Sequence, residues 1–127
     1  MTAGGGRPST DPVTLTRRAD FLAAARARRR STPAFTLQAR RRPPEQAPGE
    51  LRVGYTCSKK VGNAVARNRA KRRLRAAARE VMPTLGRPGW DYVLIGRPGV
   101  TAARDFVLLC DDLRAALGAV HGTEPDP

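Results

Sequence analysis

Residues 51–79 hold ten basic side chains, Arg52, Lys59, Lys60, Arg67, Arg69, Lys71, Arg72, Arg73, Arg75 and Arg79, and no Asp or Glu. Glu50 and Glu80 bracket the run. Guanidinium groups present N–H donors in a planar fork that matches phosphate oxygens, ammonium groups add point charge, and an amide such as Asn68 hydrogen-bonds a sugar or phosphate without charge. The chemistry open to this set is the binding of a polyanion. Stacked charge of one sign repels itself in a free protein until such a partner neutralises it.

Groups for covalent or hydrolytic chemistry are scarce. The single histidine, His121, reads as the edge of a C-terminal tail, so neither a histidine pair nor a nucleophile triad can be assembled. Asp111 and Asp112 are adjacent on a helix and diverge by about 100°, and with Asp105 they read as a solvated acidic face. Two-metal phosphodiester hydrolysis needs converging carboxylates instead. Cys57 and Cys110 lack any ligand spacing and read as small buried side chains of a reduced, cytoplasmic protein. The polypeptide is expected to carry no catalytic residue and no metal site, and not to cleave a nucleic acid alone.

The basic residues need an element to array them. Gly62 makes a turn, Asn63 is a plausible N-cap, and Pro83 is the expected stop of the helix between them. At about 100° per residue, Ala66, Ala70, Leu74, Ala77, Ala78 and Val81 form one apolar stripe, with Asn68, Lys71, Arg72, Arg75 and Arg79 roughly opposite. A core face of little beyond alanine lets such a helix lie close to its neighbour. Before it, Leu51, Val53, Tyr55 and Cys57 alternate with Arg52, Gly54, Thr56 and Ser58 as a strand. After it, residues 90–95 are a nearly continuous apolar run, as in a strand buried on both faces.

The remaining elements follow from the same patterns. A first helix is expected from Thr16 to about Arg29, with Phe21, Leu22 and Ala25 on one side and Arg26, Arg28, Arg29 and Arg30 at its far end. There these arginines either complement the helix dipole or form a second RNA-facing patch. After Pro33, residues 35–39 alternate as a strand with Phe35, Leu37 and Ala39 inward, and the Pro-rich loop 40–50 connects it to the next, antiparallel strand. Thr101 is a possible cap for a final helix whose Phe106, Leu109, Cys110, Leu113, Ala116, Leu117 and Val120 repeat at helical spacing. The result is an α/β chain, an α+β two-layer sandwich in helix–strand–strand–helix–strand–helix order with a strand–helix–strand crossover between parallel neighbours. Residues 1–15 are expected to be a disordered tail, 16–120 one RNA-binding domain, and 121–127 a flexible end.

Composition agrees with the local reading. A formal charge of +13 and a pI near 11.5 point to nucleic acid or an anionic membrane surface, and only 5% aromatic residues leave little for base stacking. No run approaches a membrane span, and the alanine stripe lacks the bulk to insert into a lipid surface, so no membrane partner is expected. The basic helix in a DNA major groove is a weaker reading, because Asn68 is its one base-reading side chain. A ribosomal or general structured-RNA-binding role stays open as the alternative.

The run Ser58, Lys59, Lys60, Val61, Gly62, Asn63, Ala64, Val65, followed by Arg67, Asn68, Arg69, Lys71, Arg72, Leu74 and Arg75, resembles the signature of the bacterial ribonuclease P protein subunit. Asp20 with Phe21, residues 51–54, and residues 91–95 support it in the family's order. The resemblance implies a left-handed crossover and a protein that assists a catalytic RNA in removing the 5′ leader of precursor tRNA by Mg2+-assisted hydrolysis. The ions would be held mainly by RNA, the partners would be that RNA and precursor tRNA, and no obligate protein partner is evident. It further implies that Lys59, Lys60, Asn63, Arg67, Asn68, Arg69, Lys71, Arg72 and Arg75 face the catalytic RNA. Phe21 and Phe35 would then line or stack in a leader cleft between the first helix and the sheet. Ala25 and Gln38 depart from the aromatic residues common in the family, which shifts leader recognition toward charge and hydrogen bonds.

Overall fold

A computed structural model describes residues 11–58, 60 and 62–122; the positions 1–10 and 123–127 expected as tails lie outside it, as do Lys59 and Val61. The elements are β1 (Val13–Thr14), α1 (Arg18–Ala25), β2 (Arg28–Ser31), β3 (Phe35–Arg41), β4 (Arg52–Cys57), α2 (Ala64–Leu85), β5 (Trp90–Gly96), α3 (Val100–Ala103) and α4 (Phe106–Gly122). One mixed sheet runs β1-β4-β5-β3-β2. β4 and β5 are parallel and joined through α2, while β3 is antiparallel to β5.

Alternation along the strands sorts the layers. Leu51, Val53, Tyr92, Leu94, Phe35, Leu37 and Ala39 point to one face, where α2 and α4 cover them in the main core. This sheet-on-helices body is the expected two-layer sandwich. On the opposite face a smaller cluster of Leu15, Ala24 and Val93, with Phe21 and Ile95 against it, seats α1. α2 comes close to the sheet because its contact residues are small: a Cβ added at Gly96 would lie 3.7 Å from the Ala70 Cβ and 2.6 Å from the Cys57 Sγ. The buried stripe of α2 is Ala70, Leu74, Ala77, Ala78, Val81 and Met82.

Several boundaries differ from the sequence expectation, each for a physical reason. The folded part starts before Thr16, because Val13–Thr14 pairs parallel with β4 and Leu15 is buried. The first helix ends at Ala25, where the Arg26 N–H closes its last turn, and residues 28–31 are edge strand β2 and not helix. The alanine- and arginine-rich segment reads as helix because its strand state comes only from pairing with β3. Leu22 is accordingly exposed on α1. β2 and β3 are a hairpin turned by Thr32, whose hydroxyl accepts the Ala34 and Phe35 N–H groups. β3 and β4 run antiparallel but are not neighbours, since β5 lies between them.

Pro83 does not stop α2, which continues to Leu85 and closes with the Gly86 N–H on the Met82 carbonyl. Pro83 has no N–H to offer the Arg79 carbonyl, so the helix forgoes one bond there and ends two residues later. The final helix begins at Phe106, not Thr101, and Phe106 itself is exposed. Asp105 accepts the Val107 and Leu108 N–H groups at its start. Thr101 is instead buried in α3, its hydroxyl donating to the Ala34 carbonyl at 2.6 Å and accepting the Arg97 N–H at 2.7 Å. His121 is not tail: it is buried in the last turn of α4, edge-on to Trp90 and 2.7 Å from the Tyr92 hydroxyl. That hydroxyl also accepts the Arg87 N–H at 3.0 Å.

Candidate nucleic-acid interface

Asn63 caps α2 as its type suggests, its Oδ1 accepting the Ala66 N–H at 3.0 Å. Gly62 supplies a positive φ of 134° just before it, and its carbonyl takes the Arg67 guanidinium at 2.7 Å. Lys60 and Asn63 are exposed at this entrance, and Lys59 lies outside the described residues. Asn68, Arg69, Arg72 and Arg79 project into solvent, while Arg67, Lys71 and Arg75 are half-buried on the flanks.

The helix does not present them as a single row. Arg67 and Lys71 turn toward β4, where their charge partly offsets the upward push of burial on the Cys57 thiol. Arg75 lies over the Tyr55 ring at 4.9 Å from its centroid, a cation–π contact that fixes the guanidinium while leaving donors outward. Burial pushes the Tyr55 hydroxyl up to about 12 despite Arg75 and Arg79, so it stays protonated and able to donate. On the other flank, Arg73 is spent internally on the Thr101 and Arg104 carbonyls. Among the described residues, no carboxylate pairs with Arg67, Arg69, Lys71, Arg72, Arg75 or Arg79.

Arginines elsewhere tell the opposite story. Asp91 is fully buried in β5 and is bonded by Arg42 at 2.6 Å, Arg52 at 2.7 and 2.8 Å, and Arg40 at 3.4 Å. The bond to Asp91 also raises the Arg52 guanidinium above its ordinary value. Arg52 and Arg40 reach on to Asp20 in the first turn of α1, at 3.5 and 4.0 Å. Arg52, counted in the basic run by sequence, is thus a structural cation that ties α1 to the sheet. The acidic residues near the C-terminus are likewise engaged: Asp112 receives two bonds from Arg104, Asp111 pairs with Arg114, and Asp105 caps α4.

Beneath α1 the sheet leaves a groove of about 490 Å³, lined by Thr16, Arg18, Phe21 and Leu22 on one side and by Gln38, Tyr55, Thr56, Val93 and Ile95 on the other. Phe21 sits here half-exposed, as expected of a groove aromatic. Phe35 does not: it is 1% exposed inside the main core, on the face of β3 opposite the groove. Its ring has no path to a nucleobase, and the strand alternation that pointed it inward is the signal to follow. Sequence reasoning missed Arg18, Leu22 and Thr56 as groove residues, and Tyr55 as the seat of Arg75. An inward aromatic with a polar tip on β4 was the available clue to the latter.

Known proteins give the comparison its context. A family model described as Ribonuclease P matches residues 10–121. A ribonuclease P protein component of Ruegeria pomeroyi is 64% identical over 111 residues, covering 87% of this chain and 88% of that one. Its counterpart in Caulobacter vibrioides is 50% identical over 103 residues, 81% of this chain and 67% of that one. Among solved structures, the RNase P protein of Thermotoga maritima aligns with a TM-score of 0.68 at 24% identity, over 84% of this chain and 96% of that one. The RNase P protein of Staphylococcus aureus aligns at 0.66 and 23%, over 84% and 94%; both show the shared fold.

Proposed function

The chain belongs to the ribonuclease P protein family, and from that premise we propose that it binds ribonuclease P RNA through the outer side of α2 and the 5′ leader of precursor tRNA through the groove under α1. Processing of the tRNA 5′ leader is the known role of this family, whose members are subunits of an RNA-based endoribonuclease. The observation that carries the residue-level reading is the set of α2 cations left without carboxylate partners, while the buried carboxylate Asp91 is held by Arg40, Arg42 and Arg52. Arg67, Asn68, Arg69, Lys71, Arg72 and Arg75, with Lys60 and Asn63 at the helix entrance, are the contacts we assign to the catalytic RNA. Lys59 joins them by position in the motif.

The division of labour follows from charge. Where RNA strands crowd, fixed guanidinium groups replace condensed counterions, which lowers the ion concentration that the folded RNA requires. Phe21 and the polar groove floor of Gln38 and Thr56 offer stacking and hydrogen bonds to a single strand. We assign hydrolysis to the RNA with Mg2+ held there. The most buried carboxylate, Asp91, is engaged with arginines through both of its oxygens. No described helix is long and apolar enough to cross a membrane, and we place the assembly in the cytoplasm.

Reconstitution tests this. Added to a ribonuclease P RNA and precursor tRNA at low magnesium, the protein should accelerate cleavage at the 5′ junction. Arg69→Ala and Arg72→Ala should each weaken assembly and lower the slope of log affinity against log salt by roughly 0.7–0.9. RNA binding without any acceleration would leave only the general RNA-binding alternative.

A further inference from the structure

Among the described residues, arginines without an intramolecular side-chain partner are found on α2, singly or in a pair at the exposed positions Arg17, Arg18, Arg41 and Arg87, and as a group at the opposite end of the sheet. In that group Arg26 closes α1 and Arg29 and Arg30 lie on the edge strand β2, all three exposed. Among the described residues, none of these three side chains makes a hydrogen bond or an ion pair. Their neighbour Arg28 does: it donates to the Val120 carbonyl at 2.5 Å and lies 5.7 Å from the Trp90 ring centroid. Among the described residues, one arginine of this segment is thus structural and three have no partner.

The two ordinary explanations for such a cluster fall short. Helix-dipole compensation does not apply to Arg29 and Arg30, which are in a strand. Guarding an open sheet edge against pairing with another chain needs a charge or two, and the strand is already only four residues long. The nearby carboxylates offer no relief, since Asp20 and Asp91 are held by Arg40, Arg42 and Arg52. Register places Arg29 opposite Gln38, on the face that carries α1 and the groove, and Arg30 opposite Leu37, on the face of α4. The cations therefore wrap around the edge, as a phosphate backbone crossing it would require. Three strand spacings, roughly 14 Å, separate β2 from β4, so the β2 edge and α2 are distinct surfaces.

We propose that the β2 edge is a second RNA-binding surface, on which Arg26, Arg29 and Arg30 hold a phosphodiester backbone separate from that held by α2. The proposal rests on the RNA-binding role assigned above. The backbone belongs either to the catalytic RNA or to the precursor tRNA, and the chemistry of recognition is the same for both.

The test uses the full chain with Arg26→Gln, Arg29→Gln and Arg30→Gln combined, beside a variant with lysine at the same three positions. Affinity is measured against salt concentration in two arms: protein with ribonuclease P RNA alone, and holoenzyme with precursor tRNA. We expect the glutamine variant to lose about tenfold or more in one arm and its salt slope there to fall by roughly 2–3, with lysine restoring most of both. The arm that responds identifies the source of the phosphate. Unchanged affinities and slopes in both arms would overturn the proposal, as would self-association of the glutamine variant with RNA binding intact, which would reduce the arginines to edge guards. Thermal melting of both variants establishes that each is folded. If the unsubstituted protein itself neither binds nor activates the RNA, it is the functional assignment that fails, and the two failures are thereby distinguished.

Discussion

Phe21 rests on the one position of β4 that has no side chain. A Cβ at Gly54 would lie 2.6 Å from the ring's Cε1 and Cζ, so the glycine is what lets the aromatic lie against the sheet while its other side meets the groove. Phe21→Ala should reduce the preference of the holoenzyme for precursor over mature tRNA several-fold while leaving affinity for the RNA subunit unchanged. Gly54→Ala should do the same by displacing the ring, at a stability cost of about 1–3 kcal/mol from overpacking. Equal loss of both affinities in either variant would make Phe21 a packing residue only. The contrast with Phe35 shows how far single residues are legible in sequence. Strand parity alone pointed Phe35 into the core, where it lies, whereas placing Phe21 needed the position of α1 over β4, a tertiary fact that no local pattern contains.

At the scale of elements, the Asp91 cluster decides where α1 and the loop 42–51 sit. Arg42 spends its guanidinium on Asp91, on the Trp90 carbonyl, and on the Gln46, Ala47 and Glu50 carbonyls, so a single buried cation organises the connection between β3 and β4. Asp91→Ala would leave that cation buried without its counter-charge, and should cost about 3–5 kcal/mol, read as a fall in Tm of roughly 10–20 °C. The double variant Arg42→Met with Asp91→Leu should not recover it, because the loop carbonyls would still lose their donor; full recovery would show that the ion pair alone mattered. Little of this was visible beforehand. α2 could be read from its alanine period and its Asn63 cap, and β5 from its apolar run, because their patterns are local. β1 and β2 escaped notice because two and four residues carry no period, and their state is set by the strands beside them. The Asp91 cluster escaped because its bonded partners are far apart in sequence, Arg40 and Asp91 by 51 positions.

For the molecule as a whole, a charge of +13 is distributed unevenly, with Arg40, Arg42 and Arg52 gathered on the buried Asp91 and unpaired cations concentrated along α2 and at the β2 edge. Like charges fixed along a helix raise the free energy of the folded state, and any anion that binds this state in preference to the unfolded chain must stabilise it. Simple screening and specific occupation differ in their dependence on anion geometry. Chloride at matched ionic strength weakens repulsion uniformly, in folded and unfolded chains alike. A multivalent anion bridging neighbouring guanidinium groups, such as sulfate or a short RNA, acts only where the fold holds those groups together. The folded protein should therefore melt several degrees higher in sulfate than in chloride of equal ionic strength, and higher again with RNA at about 100-fold over its Kd, where roughly 2.7 kcal/mol is expected. Neutral replacements on α2, such as Arg72→Gln with Arg79→Gln, should raise the Tm in chloride and shrink the gain from RNA, because the repulsion and the binding arise from the same side chains. Equal melting in all three media would mean that the protein is at ease without a polyanion, and the physical basis for reading α2 as an RNA surface would be gone.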